Sequence, residues 1–311
     1  MDQFEPKLHN EVYPFVHPIK FKASLRGKVT LLTGRSTGTI GRAMAECFSV
    51  AGAHLVLTYN RNKPSLDFLN RCRALGAAAA TPIHCNVTVG KIDILINNAG
   101  VDSIGPMHIK DPATIIKDLA INLHGPLFLM RLVMPGFIQA GRGTIINIAS
   151  RGGTVDLPFN TTYSTSKAAL IRLTSSWQAE LQLGGHDGIQ LYAIHPGAVP
   201  SQMTSAVHPE EIMGAYSHLV KGMAQVLENF KDSPYLSGMV SVALATGIAK
   251  DCLNGRYFDV QQDLGDVLAQ ASALRDHSDL YKMQVAFLGD LPNNGGTENT
   301  APEKAFNFPG Y

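Results

Sequence analysis

A surplus of charge is the first thing this 311-residue chain lacks: 26 lysines and arginines stand against 25 aspartates and glutamates, a formal net charge of +1. Without a strong field of either sign, nothing selects for nucleic acid or a membrane surface. Cysteine is scarce too. The four present, Cys47, Cys72, Cys85 and Cys252, are far apart and form neither a C-x-x-C nor a zinc-ligand spacing. That pattern predicts buried, reduced thiols in a cytoplasmic protein with no metal site. No run approaches the roughly 18 consecutive apolar residues of a membrane span. The opening stretch, acidic from its second residue, does not have the form of a signal peptide.

What is present is apolar and alternating. Hydrophobic residues make up 45% and charged residues 16% of the chain, enough to bury the core of one large α/β domain. Residues 1–25, with scattered prolines and no periodicity, read as an extended arm, and residues 26–265 as the domain. Residues 266–311 read as a C-terminal helix and an irregular tail rich in Pro, Asn and Gly. Within the domain, "KVTLLTG", "HLVLTY", "TPIHCNV", "DILINNAG", "GTIINIAS", "IQLYAIHPG" and "GRYFDV" read as strands. Helical patterns lie between most of them, including one long helix over 113–134, another over 163–181, and mostly helical chain over 204–250. Near-continuous apolar strands alternating with helices predict a doubly wound parallel sheet covered on both faces.

Two groups of residues carry chemistry. The first strand runs through Gly34, Gly38 and Gly41 into a helix, and backbone N–H groups at such a junction suit a pyrophosphate. The glycine spacing is one residue longer than the usual dinucleotide loop. Tyr163 and Lys167, four apart in "YSTSK", share one helix face, and Ser150 closes the strand 13 residues earlier. Tyr59 and Lys63 repeat the Y-x-x-x-K spacing, but the residue 13 before Tyr59 is Glu46, inside a helix. Only Tyr163 has a strand-end serine ahead of it.

"NNAG" at Asn97–Gly100, "NLHG" at Asn122–Gly125, Ser150, "YSTSK" and "HPG" at His195–Gly197 resemble, in order, the landmarks of the short-chain dehydrogenase/reductases. The longer glycine loop is similar to that of fungal fatty acid synthase ketoreductases. The resemblance implies a single-domain Rossmann sheet and hydride transfer between a nicotinamide cofactor and a ketone or secondary alcohol. It implies a catalytic tetrad of Asn122, Ser150, Tyr163 and Lys167. Cofactor contacts would come from Gly34, Arg35, Thr37, Gly38, Thr39 and Ile40 in the loop. Asn60 and Arg61 would follow the second strand, and Asn86 and Val87 the third. Asn98, Ala99, Gly100, Tyr163, Lys167, Pro196, Gly197, Val199 and Ser201 would complete the site.

In that scheme Tyr163 is the general acid and base, Lys167 lowers its pKa and holds the ribose, Ser150 holds the substrate oxygen, and Asn122 places a relay water. His195 reads as strand-end structure rather than a base. No acid follows the second strand to repel a 2′-phosphate, and Arg61 or Arg35 could pair with one, so NADP(H) is expected over NAD(H). The implied partners are a small carbonyl or alcohol substrate and a second copy of the chain, as homodimer or homotetramer, through helices 113–134 and 160–183. Met203, Met213, Tyr216, Met223, Leu227, Phe230 and Tyr235 either line a pocket for an apolar, lipid-, steroid- or polyketide-like substrate or pack helices onto the sheet.

One feature departs from that family. Only Thr88–Lys91 separates the third strand, ending at Val87, from the fourth, starting at Ile92, where a helix of about twenty residues is usual. Crossing to the fourth strand takes roughly 14 Å sideways and, with the return along the strand, a diagonal near ~22 Å. Four or five steps cover at most about 18 Å. Three outcomes are open: a shortened or displaced third strand, a chain lacking an exon, or a variant with an open sheet face. The last two favour a competing reading, a catalytically weak or inactive nucleotide-binding or interaction protein on the same fold.

Overall fold

Each apolar run takes its place in one sheet because both of its faces find cover. The computed structural model describes residues 4–34, 38–60, 62–84, 91–201, 203, 227–276 and 279–288. Seven parallel strands, β1 (Val29–Leu32), β2 (His54–Tyr59), β3 (Ala79–His84), β4 (Ile94–Asn97), β5 (Gly143–Ile148), β6 (Ile189–His195) and β7 (Tyr257–Asp259), stand in the order β3-β2-β1-β4-β5-β6-β7. This is a doubly wound Rossmann sheet, and its order reverses between β1 and β4. A crevice opens there at the carboxyl ends of the strands.

Successive residues of a strand point to opposite faces, and the core divides accordingly. Leu32, Leu55, Leu57, Ile96, Ile146 and Ile194 pack on one side. They meet α1 (Thr39–Val50) through Met44 and Phe48, and α6 (Pro234–Ala245) through Val240 and Leu244. Leu31, Val56, Leu95, Ile145 and Leu191 pack on the other against α4 (Gly125–Ala140) and α5 (Thr161–Leu183), through Met130, Phe137 and Leu181. Each fully buried Leu or Ile contributes roughly 1.5–3 kcal/mol, so the double-faced pattern fixes the strand register. The remaining helices among the described residues are α2 (Leu66–Leu75), α3 (Pro112–Leu119), α7 (Lys250–Leu253), α8 (Leu264–Ala269) and α9 (Ala271–Asp276).

The structure departs from the sequence reading in several places. The third strand is described over Ala79–His84 and the fourth over Ile94–Asn97, later than the expected start at Ile92. Residues 85–90, with the expected strand end at Val87 and most of the short link Thr88–Lys91, lie outside the described residues. The long helix expected over 113–134 runs as three pieces, α3, a π turn at Ala120–His124 and α4. Together Pro112–Ala140 form 29 helical residues whose best window averages a mean hydropathy of 1.3, long and apolar enough to cross a membrane by composition, although only 28% of that window is buried. The sequence reading missed this because it sought an unbroken apolar run, whereas Asp118 and Arg131 interrupt this one.

The arm is not extended throughout. Its prolines start 3-10 turns at Pro14–Val16 and Pro18–Phe21, and Tyr13, Val16, Phe21 and Leu25 are buried in the main core. Tyr13 is clamped to the chain after β7: its hydroxyl donates to Gln262 O at 3.2 Å and accepts from Leu264 N at 2.7 Å. Of the segment expected to be mostly helical over 204–250, residues 204–226 lie outside the described residues, as does the tail from 289.

Candidate active site

The carboxyl ends of β1, β4, β5 and β6 deliver the expected residues to one edge of the sheet. Ser150 follows β5 in extended backbone, φ −164° and ψ 151°, and its Oγ accepts from Gly152 N at 3.0 Å, capping a 3-10 turn at Arg151–Gly153. Tyr163 and Lys167 lie in the first two turns of α5. A β-carbon on Gly152 would stand 3.4 Å from both Ser150 Oγ and the Tyr163 ring, so these two side chains meet over a glycine. The Ser150 hydroxyl acts on the Tyr163 phenol so as to lower its pKa. Lys167 is buried, donates to Ile148 O at 2.7 Å and lies 5.6 Å from the Tyr163 ring centre.

Asn122 occupies the π turn, a distortion that turns a side chain out of the regular helical face. Its amide is held at both ends: Oδ1 accepts from Val101 N and Nδ2 donates to Val101 O, each at 2.9 Å. These two bonds pin the loop after β4. Gly100 then comes close, with a β-carbon there 3.5 Å from Asn122 Oδ1 and 3.6 Å from Lys167 Nζ.

Burial pushes the Tyr163 phenol up to about 12, opposed by Ser150 and reinforced by the charge of Asp102. Burial pushes Lys167 down to about 8, opposed by Asp102. Loss of water around both groups is the largest cause of each shift. His195 is pushed by burial down to about 4 and is neutral near pH 7; its Nδ1 accepts from Arg151 N at 3.2 Å and so helps hold the serine turn.

A dinucleotide fits the crevice on two observations. Helix α1 starts at Gly38 with no side-chain cap and no acid in its first turn, which leaves its opening N–H groups at Thr39 and Ile40 for an anion. Gly34, at φ +95°, approaches so closely that a β-carbon would lie 2.8 Å from Ala99 Cα and from Asn98 Nδ2. Gly197, at φ +90°, lets the turn after β6 that carries Pro196, Val199 and Ser201 close onto Asp232, whose Oδ2 would lie 2.8 Å from a β-carbon there. Asn60 lies at the end of β2, where its carbonyl contacts His84 Nε2 at 3.0 Å. Arg35, Thr37, Arg61, Asn86 and Val87 lie outside the described residues.

Sequence reasoning passed over several residues that build this site. Thr33 Oγ1 accepts from Asn98 N at 3.1 Å and Ala99 N at 3.2 Å, and Asn98 Nδ2 donates back to Thr33 O at 3.0 Å, closing the glycine loop onto the β4 turn. Asp232 Oδ2 accepts from Ala198 N and from Gln261 Nε2, both at 2.6 Å. Gln261 and Asp259 in turn accept from Arg151, beside Ser150. Asp102 Oδ2 accepts from Asn160 Nδ2 at 2.6 Å. A hydroxyl ending the first strand was the one available signal; the others depend on contacts across the fold. Tyr235, read as lining a pocket or packing a helix onto the sheet, donates from its hydroxyl to Glu46 Oε2 at 2.8 Å, and Met213, Tyr216 and Met223 lie outside the described residues.

Comparison with known proteins agrees with this geometry. Residues 28–212 match the family model described as short chain dehydrogenase. The short chain dehydrogenase pigC of Monascus ruber is 30% identical over 306 residues, covering 90% of this chain and 92% of that protein. A short chain dehydrogenase of Pseudocercospora fijiensis is 30% identical over 281 residues, 83% of this chain and 88% of its own. A solved structure from Beutenbergia cavernae, described as an NAD(P) dependent gluconate 5-dehydrogenase with NADP at low occupancy, shares the fold at TM-score 0.64 and 22% identity over 77% of this chain and 97% of that one.

Proposed function

This chain belongs to the short-chain dehydrogenase family of oxidoreductases, and on that premise we propose that it reduces a ketone to a secondary alcohol with NADPH. The observation that carries the reading is the meeting of Ser150, Tyr163 and Lys167 beside the glycine-lined crevice. The bound nicotinamide would supply the hydride. Tyr163, held protonated by burial with its phenol up to about 12, is an acid at neutral pH and gives its proton to the carbonyl oxygen as negative charge develops there. Ser150 Oγ, fixed by Gly152 N, holds that oxygen against the phenol. Lys167 stays within one helical turn of Tyr163 and carries positive charge toward the same oxygen.

The cofactor preference rests on the residues after β2, Asn60, Arg61, Asn62 and Lys63, none of them acidic. The apolar substrate class is supported by Leu157, 41% exposed, whose Cδ1 would lie 2.9 Å from a β-carbon on Gly152, beside the Tyr163 ring. A homodimer is supported by Ile116, Phe128 and Leu132 on α3 and α4, each at least 63% exposed. Cytoplasmic placement is supported by the buried free thiols of Cys47, Cys72 and Cys252.

The test is NADPH oxidation against a panel of ketones by the wild type and by Tyr163→Phe. The variant should bind NADPH as the wild type does and lose about 10²–10⁴-fold in turnover. Equal turnover in both would remove Tyr163 from the chemistry.

A further inference from the structure

Gln261, just past β7, has every hydrogen-bonding group engaged, and its partners come from distant parts of the chain. Its side-chain amide stands between opposite charges: Oε1 accepts from Arg151 Nη2, and Nε2 donates to Asp232 Oδ2 at 2.6 Å. A guanidinium only donates and a carboxylate only accepts, so the amide fits in one orientation. The backbone N–H donates to Asp259 Oδ1 at 3.1 Å, and the carbonyl accepts from His9 N at 2.7 Å. Arg151 and Asp232 lead on to two turns of the site. Arg151 directly follows Ser150, and its N–H donates to His195 Nδ1 at 3.2 Å. Asp232, buried, holds both main-chain groups of Ala198: Oδ2 accepts from Ala198 N at 2.6 Å, and its own N–H donates to Ala198 O at 3.1 Å.

The N-terminal arm grips this junction from the other side. Leu8 bridges antiparallel to Gln262, with His9 N donating to Gln261 O and Asp263 N donating to Lys7 O at 2.8 Å. Ser233 N, next to Asp232, donates to Asn10 O at 2.7 Å. At the start of α8, Asp263 contacts His9 Nε2 at 2.9 Å and Asp266 accepts from Lys7 N at 3.0 Å. The family model covers residues 28–212, and neither the arm, Asp232 nor Gln261 lies within it.

We propose that Gln261 is a positioning residue: held by the arm at Lys7–Asn10, it fixes the serine turn through Arg151 and the turn after β6 through Asp232. The inference rests on the reading above, in which Ser150 holds the substrate oxygen and Pro196 and Gly197 contact the cofactor. Both side-chain bonds of Gln261 join a charged partner, the stronger kind of hydrogen bond, and burial of Asp232 strengthens its share. The arm touches neither turn directly; its backbone sets the place of Gln261, and Gln261 sets the place of both.

The experiment is amide hydrogen exchange, read by mass spectrometry on the full-length protein. Gln261→Met keeps the length of the side chain and removes both of its bonds. His9→Pro removes the N–H that donates to Gln261 O, and His9→Ala keeps it. Gln261→Met and His9→Pro should each speed exchange over 150–153 and 196–198 by roughly three- to tenfold. Exchange in β4 should stay unchanged, and His9→Ala should match the wild type at both turns. The double variant should exchange there no faster than Gln261→Met alone, because both changes act through one residue. Faster exchange confined to 232–233 and 259–263, with both turns as in the wild type, would overturn the proposal and leave a local arm contact. An additive double variant, or His9→Ala as fast as His9→Pro, would overturn it equally. Should one variant not fold, the other carries the same outcomes at the two turns. Because no turnover is read, failure here is distinct from failure of the catalytic reading, which would appear as an active Tyr163→Phe enzyme.

Discussion

Gly34 has two reasons to be glycine. Its φ of +95° lies in the left-handed region, and a β-carbon would stand 2.8–2.9 Å from the backbone of Ala99 and the amide of Asn98. Thr33 locks that approach by accepting from Asn98 N and Ala99 N. Gly34→Ala should therefore push the loop off the β4 turn, costing about 1–3 kcal/mol in stability and weakening NADPH binding at least about tenfold. Thermal melting and fluorescence titration would check both, and unchanged affinity would place the cofactor elsewhere. At this scale the sequence was informative wherever a residue type and a spacing coincide: Ser150, Tyr163 and Lys167 were found by a strand end and a helical turn. Asp102, Thr33 and Asp232 were not, because their partners lie 58, 65 and 34 residues away, at Asn160, Asn98 and Ala198.

The elements around the site are tied together by one buried acid. Glu46, in the middle of α1 and 3% exposed, accepts from Arg71 on α2 at 2.7 and 3.1 Å and from the Tyr235 hydroxyl on α6 at 2.8 Å. Burial pushes its carboxyl up, but the bonds from Arg71, Tyr235 and Arg42 together outweigh it and hold the group below its ordinary value of 4.5. A depressed folded-state pKa means the stabilisation is present above the unfolded value and is lost as pH falls through the folded one. Glu46→Gln should cost roughly 1–2 kcal/mol at neutral pH, Arg71 being partly screened by water. That difference should shrink in acid; melting curves that stay equally separated at both pH values would contradict it. Helix and strand cores were legible from periodicity, whereas their ends were not. The π turn at Ala120–His124 reflects local hydrogen bonding, which has no period in the sequence.

For the whole molecule, the seven-stranded topology was legible because the inner strands are apolar on both faces and helices lie between most of the strands. The arm was not. Its burial depends on contacts such as Tyr13 with Gln262 and Leu264, about 250 residues apart, at 249 and 251. The exposed apolar residues on the outer face of α3 and α4 support the proposed homodimer. If Phe128, 63% exposed, and Leu132, 66% exposed, lie in a homodimer interface, Phe128→Glu with Leu132→Glu should halve the mass seen by analytical ultracentrifugation. A wild type that sediments as a monomer would contradict that.

The most direct test of the central claim is isotopic. NADPH deuterated at its transferring carbon is mixed with the wild type and a panel of apolar ketones, and the products are analysed by mass spectrometry. The account predicts an alcohol bearing one deuterium on the carbinol carbon, formed by the wild type and absent with Tyr163→Phe. Tight NADPH binding with no deuterated alcohol from any ketone would contradict it.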